Sequence, residues 1–206
     1  MRTRQPLRHN AAVLDQSQTV AETLEQHRRA VQAQLAALDV GAVERIAGRL
    51  EAARRRGATI YVAGNGGSAA TAAHWVNDLC KATLHASVRR IRAMCLTDST
   101  PWFTALANDE GYERVFSEQL EAFGSPGDVV VVLSASGNSP NLVRAAEVAL
   151  AHDCEVVGLL GFDGGRLRSM ATDHVLVPTA HGAYELVEDV HSVICHMIVR
   201  SLVPAA

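Results

Sequence analysis

The chain is poor in aromatic residues, which make up only 4% of its 206 residues, and it carries no strong excess of charge. Lys and Arg total 19 against 22 for Asp and Glu, and the formal net charge of -3 lacks the basic character of a nucleic-acid-binding protein. No apolar run approaches the roughly 20 residues of a membrane-spanning helix. Residues 1–16 contain basic side chains but no apolar stretch or cleavage site of a secretory signal. We therefore expect a cytoplasmic protein with no nucleic-acid or membrane partner.

Cysteine is also scarce, and the four thiols are far apart in the sequence. They are Cys80, Cys95, Cys154 and Cys195. The absence of close CxxC pairs argues against a structural zinc site of the finger type and against a thioredoxin-like redox centre. Because each cysteine has apolar neighbours, we expect buried, reduced thiols and no disulfide framework.

The chain shows no linker, low-complexity tract or internal repeat that would divide it. Its hydrophobic fraction of 48% is enough for one core, so we expect residues 13–206 to form a single domain after a frayed segment at 1–12. Apolar spacing predicts two amphipathic helices, from Val13 to Leu38 and from Val43 to Arg56. A turn from Asp39 to Gly41 is predicted between them.

After residue 57, short apolar runs of strand length alternate with stretches of helical pattern. The runs are Thr59–Val62, Arg90–Leu96, Asp128–Leu133, Glu155–Leu160 and His174–Val177. Strands that alternate with helices form βαβ units, which require a parallel sheet covered on both faces. The predicted fold class is α/β, a three-layer α/β/α sandwich with a five-stranded parallel sheet behind an N-terminal helical hairpin. The last segment, Tyr184–Leu202, predicts a helix whose broad apolar surface indicates contacts between subunits.

Two turns rich in glycine and serine follow the first and third predicted strands. They read GNGGS at residues 64–68 and SASGNS at residues 134–139. Ligands bind at the carboxyl ends of parallel strands, where glycines let backbone N–H groups approach a phosphate and the next helix presents its positive N-terminus. Neither turn has the spacing of a Walker loop or of a dinucleotide site. The pair therefore favours a small phosphorylated ligand.

Two helices carry side chains suited to acid–base or metal chemistry. His74 and Asp78 lie four residues apart and share one face of the helix predicted to open at Ser68. In the last helix, Glu188 and His196 lie about 80° apart around the axis and can border the same pocket. These residues by themselves leave three possibilities open: a metal site, an acid–base pair or a surface hydrogen bond.

In combination and order, these motifs resemble the sugar isomerase (SIS) domain of the phosphoheptose isomerases, which act on sedoheptulose 7-phosphate. The resemblance covers about residues 15–202. It rests on the two turns, on His74 beyond the first turn, on Ala107-Asn108-Asp109, on the turn GFDGG at 161–165 and on the terminal ExxHxxxxH helix. It implies a homotetramer of three-layered subunits with shared active sites. It also implies zinc in the site and the interconversion of sedoheptulose 7-phosphate and glycero-manno-heptose 7-phosphate.

The resemblance also assigns roles to individual residues. The substrate-binding positions are Asn65, Gly66, Ser68, Asp98, Ser134, Ser136, Ser139 and Glu188. The metal positions are His74, Asp78, Glu188 and His196, and the catalytic positions are Asp78 and His196. His196 is either a ligand or a proton donor in this assignment.

Three positions depart from the commoner pattern of the family. Asp78 stands where Glu is usual, Glu188 where Gln is usual, and Ala135 where Thr is usual. The site therefore gains one formal negative charge, and its carboxylate base is one methylene shorter. Lys81, near a position where the family usually keeps an Arg, could supply a compensating cation.

The expected reaction removes a proton next to a carbonyl, holds the enediolate and returns the proton to the neighbouring carbon. A carboxylate can carry that proton, and zinc would stabilise the charge. One alternative is an isomerase of another sugar phosphate. Another is a non-catalytic adaptor of the replication initiator-associating type, which shares a segment similar to Ala107–Phe116. A sugar-phosphate-sensing regulator is disfavoured because the chain has no recognisable helix-turn-helix segment.

Overall fold

The computed structural model describes residues 19–85 and 88–203. The strands are β1 (Thr59–Gly64), β2 (Arg92–Cys95), β3 (Val129–Ser134), β4 (Glu155–Gly161) and β5 (Asp173–Val177). The helices are α1 (Val20–Ala36), α2 (Val40–Arg56), α3 (Gly67–Lys81), α4 (Thr100–Asp109), α5 (Ser117–Phe123), α6 (Pro140–Ala151), α7 (Gly165–Met170) and α8 (Tyr184–Leu202). A short 3₁₀ turn, Tyr112–Arg114, lies between α4 and α5. No helix within the described ranges is long and apolar enough to cross a membrane.

The five strands form one parallel sheet in the order β2-β1-β3-β4-β5. One core lies between the sheet and the layer of α2, α3 and α8, and a second lies between the opposite face and the helices from α4 to α7. Strand β3 is buried along its whole length, as its run of valines predicts for a central parallel strand. The predicted α/β/α sandwich is confirmed.

The sheet register places the two predicted ligand turns next to each other. Gly64, the last residue of β1, pairs with Leu133 near the end of β3. The turn after β3 also packs directly on the turn after β4. The two turns are so close that a Cβ on Gly137 would collide with the carbonyl oxygen of Gly164. Gly137 has a φ of +62°, so both its conformation and its surroundings favour glycine. These backbone contacts fix the loops that border the site.

The boundaries of the first two helices differ from the sequence prediction. α1 begins at Val20 behind a capping box formed by Thr19 and Glu22, and the predicted helical residues before 19 lie outside the described part of the chain, as does the predicted frayed segment. α2 begins at Val40, so the turn predicted from Asp39 to Gly41 is wrong. The reason is local, because the Asp39 carboxylate accepts the Ala42 N–H at 3.1 Å and caps the helix three residues early.

Three of the four cysteines are buried, as their apolar neighbours predict, and Cys80 is the exception. Cys95, Cys154 and Cys195 are buried, Cys80 is half-buried, and all four are free thiols. Burial raises the pKa of the Cys195 thiol well above its ordinary value. Cys195 therefore contributes to packing as a neutral thiol.

Candidate active site

A cavity of about 100 Å³ lies at the carboxyl ends of β1 and β3. Its lining residues are Asn65, Ser68, Leu133, Ser134, Ala135, Ser136, Ser139, Leu142, Tyr184 and Glu188. The lining includes every residue predicted to bind substrate except Gly66 and Asp98. Gly66 is the N-cap of α3 beside the cavity, with a φ of +54°. Asp98 lies apart from the lining, exposed in the turn after β2.

The cavity has the character of an anion site. The first residues of α3 and α6 follow Gly66 and Ser139, so two helix N-termini with their partial positive charge border it. Ser134 Oγ accepts the Gly137 N–H at 3.0 Å, and Ser136 Oγ accepts the Asn138 N–H at 3.3 Å. Each serine hydroxyl therefore keeps its own proton to donate to a ligand. We name the residues that line this cavity the phosphate cradle.

A second group, His74, Asp78 and His196, has the donors of a metal site. Asp78 Oδ2 lies 3.4 Å from His74 Nε2 and 3.6 Å from His196 Nε2, and the ligand atoms of all three residues lie within 4.8 Å of one another. Ligand atoms bound about 2.1 Å from a tetrahedral ion lie about 3.4 Å apart. Two imidazole nitrogens and one carboxylate oxygen at these separations fit zinc.

Glu188 lies outside the group of three ligands and belongs to the cradle. Its carboxylate lies against the first turn of α3, where a Cβ on Gly67 would collide with it. Burial, followed by the charges of Asp189 and Glu185, raises the pKa of the Glu188 carboxyl. Among the described residues, the structure thus brings together three of the four predicted metal positions, and it places the fourth at the adjoining cavity.

Helices α3 and α8 run side by side in the same direction. Glu188, in the first turns of α8, meets Gly67 at the start of α3, and His196 further along meets His74 and Asp78. The eight residues from Glu188 to His196 correspond to about 12 Å of helical rise. The site therefore has the phosphate cradle at one end and His74, Asp78 and His196 at the other, along the same pair of helices. We call these three residues the acid–base group.

The acid–base group is open to solvent in the single chain. The side chains of His74 and His196 are 60% and 53% exposed, and their rings meet edge to face with centroids 5.2 Å apart. Asp78 is the most enclosed of the three, with 22% exposure. Lys81, predicted as a compensating cation, is exposed at the end of α3.

Three residues at the site were missed by the sequence reasoning. Asn141 is buried and exchanges two side-chain hydrogen bonds with Asn65, and the Tyr112 hydroxyl donates to Asn65 Oδ1 at 3.0 Å. Tyr184 lines the cradle and packs on Phe162. The sequence signal for Tyr112 was an aromatic residue in the polar segment after Ala107-Asn108-Asp109, and Asn141 had the signal of a polar residue directly after Ser139-Pro140.

The family is identified by comparison with known proteins. The family profile described as "SIS domain" matches residues 20–161. The chain belongs to the SIS-domain family. Within this family, the phosphoheptose isomerase of Geobacter sp. strain M21 is 41% identical over 146 residues, which are 71% of this chain and 74% of the relative. The phosphoheptose isomerase of Geobacter metallireducens is 36% identical over 189 residues, which are 92% of this chain and 94% of the relative.

A solved structure agrees with these relatives. The phosphoheptose isomerase GmhA from Neisseria gonorrhoeae superposes with a TM-score of 0.79 at 32% identity, and the match covers 89% of this chain and 96% of that one. The match supports the same arrangement of sheet and helices in both SIS-domain proteins. The predicted resemblance to the phosphoheptose isomerase branch of the SIS-domain family is confirmed.

Proposed function

We propose that the chain is a phosphoheptose isomerase that interconverts sedoheptulose 7-phosphate and glycero-manno-heptose 7-phosphate. The observation that carries this proposal is the alignment of α3 and α8, which places an anion cradle and an acid–base group along one pair of helices. Such a separation suits a substrate whose phosphate and carbonyl lie at opposite ends of a long carbon chain. Relatives at 36–41% identity are named phosphoheptose isomerases, which supports the same activity here.

In this mechanism, the phosphate binds first to the cradle. The hydroxyls of Ser134 and Ser136 donate to it, and the N-terminus of α3 at Gly66 lowers the energy of its negative charge. Neutral donors hold the anion without a lysine or arginine in the lining. Binding at this end directs the opened sugar along α3 and α8 toward Asp78.

Asp78 is the proposed base. It takes the proton from the carbon next to the carbonyl and returns it to the former carbonyl carbon. A second proton passes from the hydroxyl oxygen to the former carbonyl oxygen, which completes the conversion of ketose to aldose through an enediolate. Its Oδ1 accepts a hydrogen bond from the Asn77 side chain at 3.1 Å, which fixes the carboxylate. His196, whose Nε2 lies 3.6 Å from Asp78 Oδ2, is the proposed acid when it is not a ligand.

We propose that His74, Asp78 and His196 would hold zinc, with Glu188 as the fourth ligand. Zinc held there would polarise the carbonyl and hydroxyl oxygens of the opened sugar. The donor chemistry and the spacing of the three ligand atoms support this assignment. A carboxylate at position 188 adds charge that favours a divalent cation over an empty site.

We further propose that the protein works as a homo-oligomer in the cytoplasm. The exposure of His74 and His196 supports a second subunit that covers the site, as the tetrameric arrangement implied by the family would provide. Free cysteines and a phosphorylated substrate favour the cytoplasm. The retained acid–base group and the isomerase names of the relatives favour an enzyme over the adaptor alternative.

The test is incubation of metal-analysed protein with sedoheptulose 7-phosphate and with pentose, hexose and amino-sugar phosphates in D₂O. We expect NMR to show deuterium at the carbon next to the carbonyl of the heptose, together with formation of the aldose. Exchange with another sugar phosphate alone would assign a different substrate. If the protein contains zinc and no sugar phosphate shows deuterium exchange, this result would contradict the enzyme assignment and favour an adaptor.

A further inference from the structure

Tyr112 reaches the phosphate cradle from outside its lining. It lies in the 3₁₀ turn after α4 and is 51% exposed, with its ring packed edge to face on Phe103 at a centroid distance of 5.9 Å. Its hydroxyl donates to Asn65 Oδ1 at 3.0 Å, across 47 positions of sequence. An exposed tyrosine could satisfy its hydroxyl with water, so this contact with a cradle residue requires explanation.

The direction of the hydrogen bonds around Asn65 is determined by a backbone group. The Leu142 N–H can only donate, and it donates to Asn141 Oδ1 at 3.0 Å. The other end of the Asn141 amide must then be Nδ2, and it donates to Asn65 Oδ1 at 2.8 Å. Asn65 Nδ2 returns a hydrogen bond to Asn141 Oδ1 at 3.0 Å. Because Asn141 is buried, this pair of amides is a fixed base for the network.

Tyr112 completes the set of acceptor contacts at Asn65. The Oδ1 atom has two lone pairs, of which Asn141 Nδ2 fills one and the Tyr112 hydroxyl fills the other. One N–H of Asn65 Nδ2 is then left without a protein acceptor among the described residues, on a side chain that lines the cradle. The donor for an anion and the acceptor facing Tyr112 are therefore opposite ends of the same amide.

We propose that Tyr112 is a positioning residue for phosphate recognition, which acts by holding the Asn65 amide with its free N–H toward the bound phosphate. Hydrogen bonds accepted at Oδ1 also polarise the amide and strengthen the N–H as a donor. The turn after α4 thus becomes part of the cradle without touching the ligand. The kinetic part of this proposal rests on the proposed isomerase function, and the binding part does not.

The test compares Tyr112→Phe with Tyr61→Phe as a matched control. Both changes remove one hydroxyl and keep the ring, but the Tyr61 hydroxyl donates to the Phe123 carbonyl at 2.8 Å, and neither residue lines the cradle. We expect Tyr112→Phe to weaken binding of inorganic phosphate about threefold to tenfold in titration calorimetry, the usual effect of one hydrogen bond. The KM for sedoheptulose 7-phosphate should rise by the same factor while kcat changes less than about twofold. Tyr61→Phe should leave both quantities at the wild-type values.

A double variant distinguishes positioning from direct contact. If Tyr112 acts through Asn65, Tyr112→Phe should weaken phosphate binding no further in an Asn65→Ala background. A full additional loss in that background would mean direct contact and would overturn the proposal. So would wild-type phosphate affinity in Tyr112→Phe, or no saturable phosphate binding by the wild-type protein. If the wild-type protein does not isomerise the heptose but Tyr112→Phe still weakens phosphate binding, the proposed function fails and this proposal stands.

Discussion

At the scale of single residues, Asp78 is the centre of the acid–base group, because the Nε2 atoms of His74 and His196 both lie close to its Oδ2. Asp78→Asn keeps the volume and removes the charge. We expect isomerisation to fall by roughly two to four orders of magnitude, the usual contribution of a positioned proton-transfer group, with almost no change in stability. The measurement is kcat with sedoheptulose 7-phosphate, alongside the midpoint of urea unfolding.

Asp78→Glu is the informative control, because it restores the side chain that is usual in the family. Retained or higher activity would show that the site accepts the longer carboxylate. A loss of activity would show that the surrounding side chains accommodate only the shorter Asp. Wild-type rates in Asp78→Asn, with unchanged zinc content, would contradict the catalytic role. Asp78 would then be a helix-surface partner of His74, and its ion pair would contribute only a few tenths of a kcal/mol.

Gly67 is required by the position of Glu188, since a Cβ at residue 67 would collide with the Glu188 carboxylate. The side chain of Glu188 can move, so we expect Gly67→Ala to change the free energy of unfolding by less than about 1 kcal/mol. We expect the displaced carboxylate to disturb the cradle and to lower kcat/KM at least tenfold, a transition-state loss of about 1.4 kcal/mol. Gly41→Ala is the matched control, because Gly41 is helical and a Cβ there would meet only the Asp39 and Arg45 side chains, at 3.3 and 3.6 Å. Equal kcat/KM for both variants would show that the place of Glu188 does not affect turnover.

At the scale of the element, α8 combines its site residues with a buried histidine between them. His191 is 1% exposed, its Nε2 has no hydrogen-bond partner among the described residues, and burial lowers its pKa to about 4. The neutral ring is thus the form that packs α8 against the sheet. In the unfolded chain the same side chain has a pKa near its ordinary value of 6.5.

The lowered pKa predicts a loss of stability on acidification. Between pH 6.5 and about 4 the unfolded chain binds the His191 proton and the folded chain does not, so the free energy of unfolding rises with pH in this window. The contribution of the neutral His191 ring to the free energy of unfolding is complete above pH 6.5, and it falls by about 3 kcal/mol as the pH approaches 4. Urea unfolding at several pH values measures how the free energy of unfolding changes with pH. This change between pH 6.5 and 4 should be smaller for His191→Leu than for wild type.

At the scale of the whole molecule, a groove of about 710 Å³ lies between α2 and the C-terminal half of α8, lined by apolar side chains and by the charged side chains of Glu44, Glu51, Arg54 and Arg55. Val40, Met197 and Val203 are 56%, 38% and 43% exposed there. A single chain in water would leave this surface uncovered, which is unfavourable unless a second copy covers it. This groove is our candidate for the subunit contact predicted from the apolar surface of the last helix.

Light scattering at micromolar concentration should give a mass that is a multiple of 22.0 kDa, with four copies expected from the family resemblance. Met197→Glu should lower that mass because it places a charge in the groove. Leu150→Glu, at a similarly exposed leucine at the C-terminal end of α6, should leave the mass unchanged. A monomeric mass for the wild-type protein would contradict the oligomer.

The sequence by itself determined the alternation of strands and helices, because burial on both faces requires apolar runs that are visible in the residues. It also determined the two ligand turns, since their glycines and serines are adjacent in the chain. The pairing of His74 with Asp78 was equally visible, because both lie on one helix face. The start of α2 was the local exception, where the cap at Asp39 outweighed the apolar pattern.

Only the tertiary structure decided which distant residues meet. The parallel packing of α3 and α8 brings His196 to Asp78 and places Glu188 against Gly67, at the cradle and apart from the other three metal positions. The contact of Tyr112 with Asn65 joins the turn after α4 to the turn after β1, 47 positions apart in the sequence. Patterns in a sequence report the period of an element and its buried face, whereas these contacts depend on how whole elements pack, which no local spacing encodes.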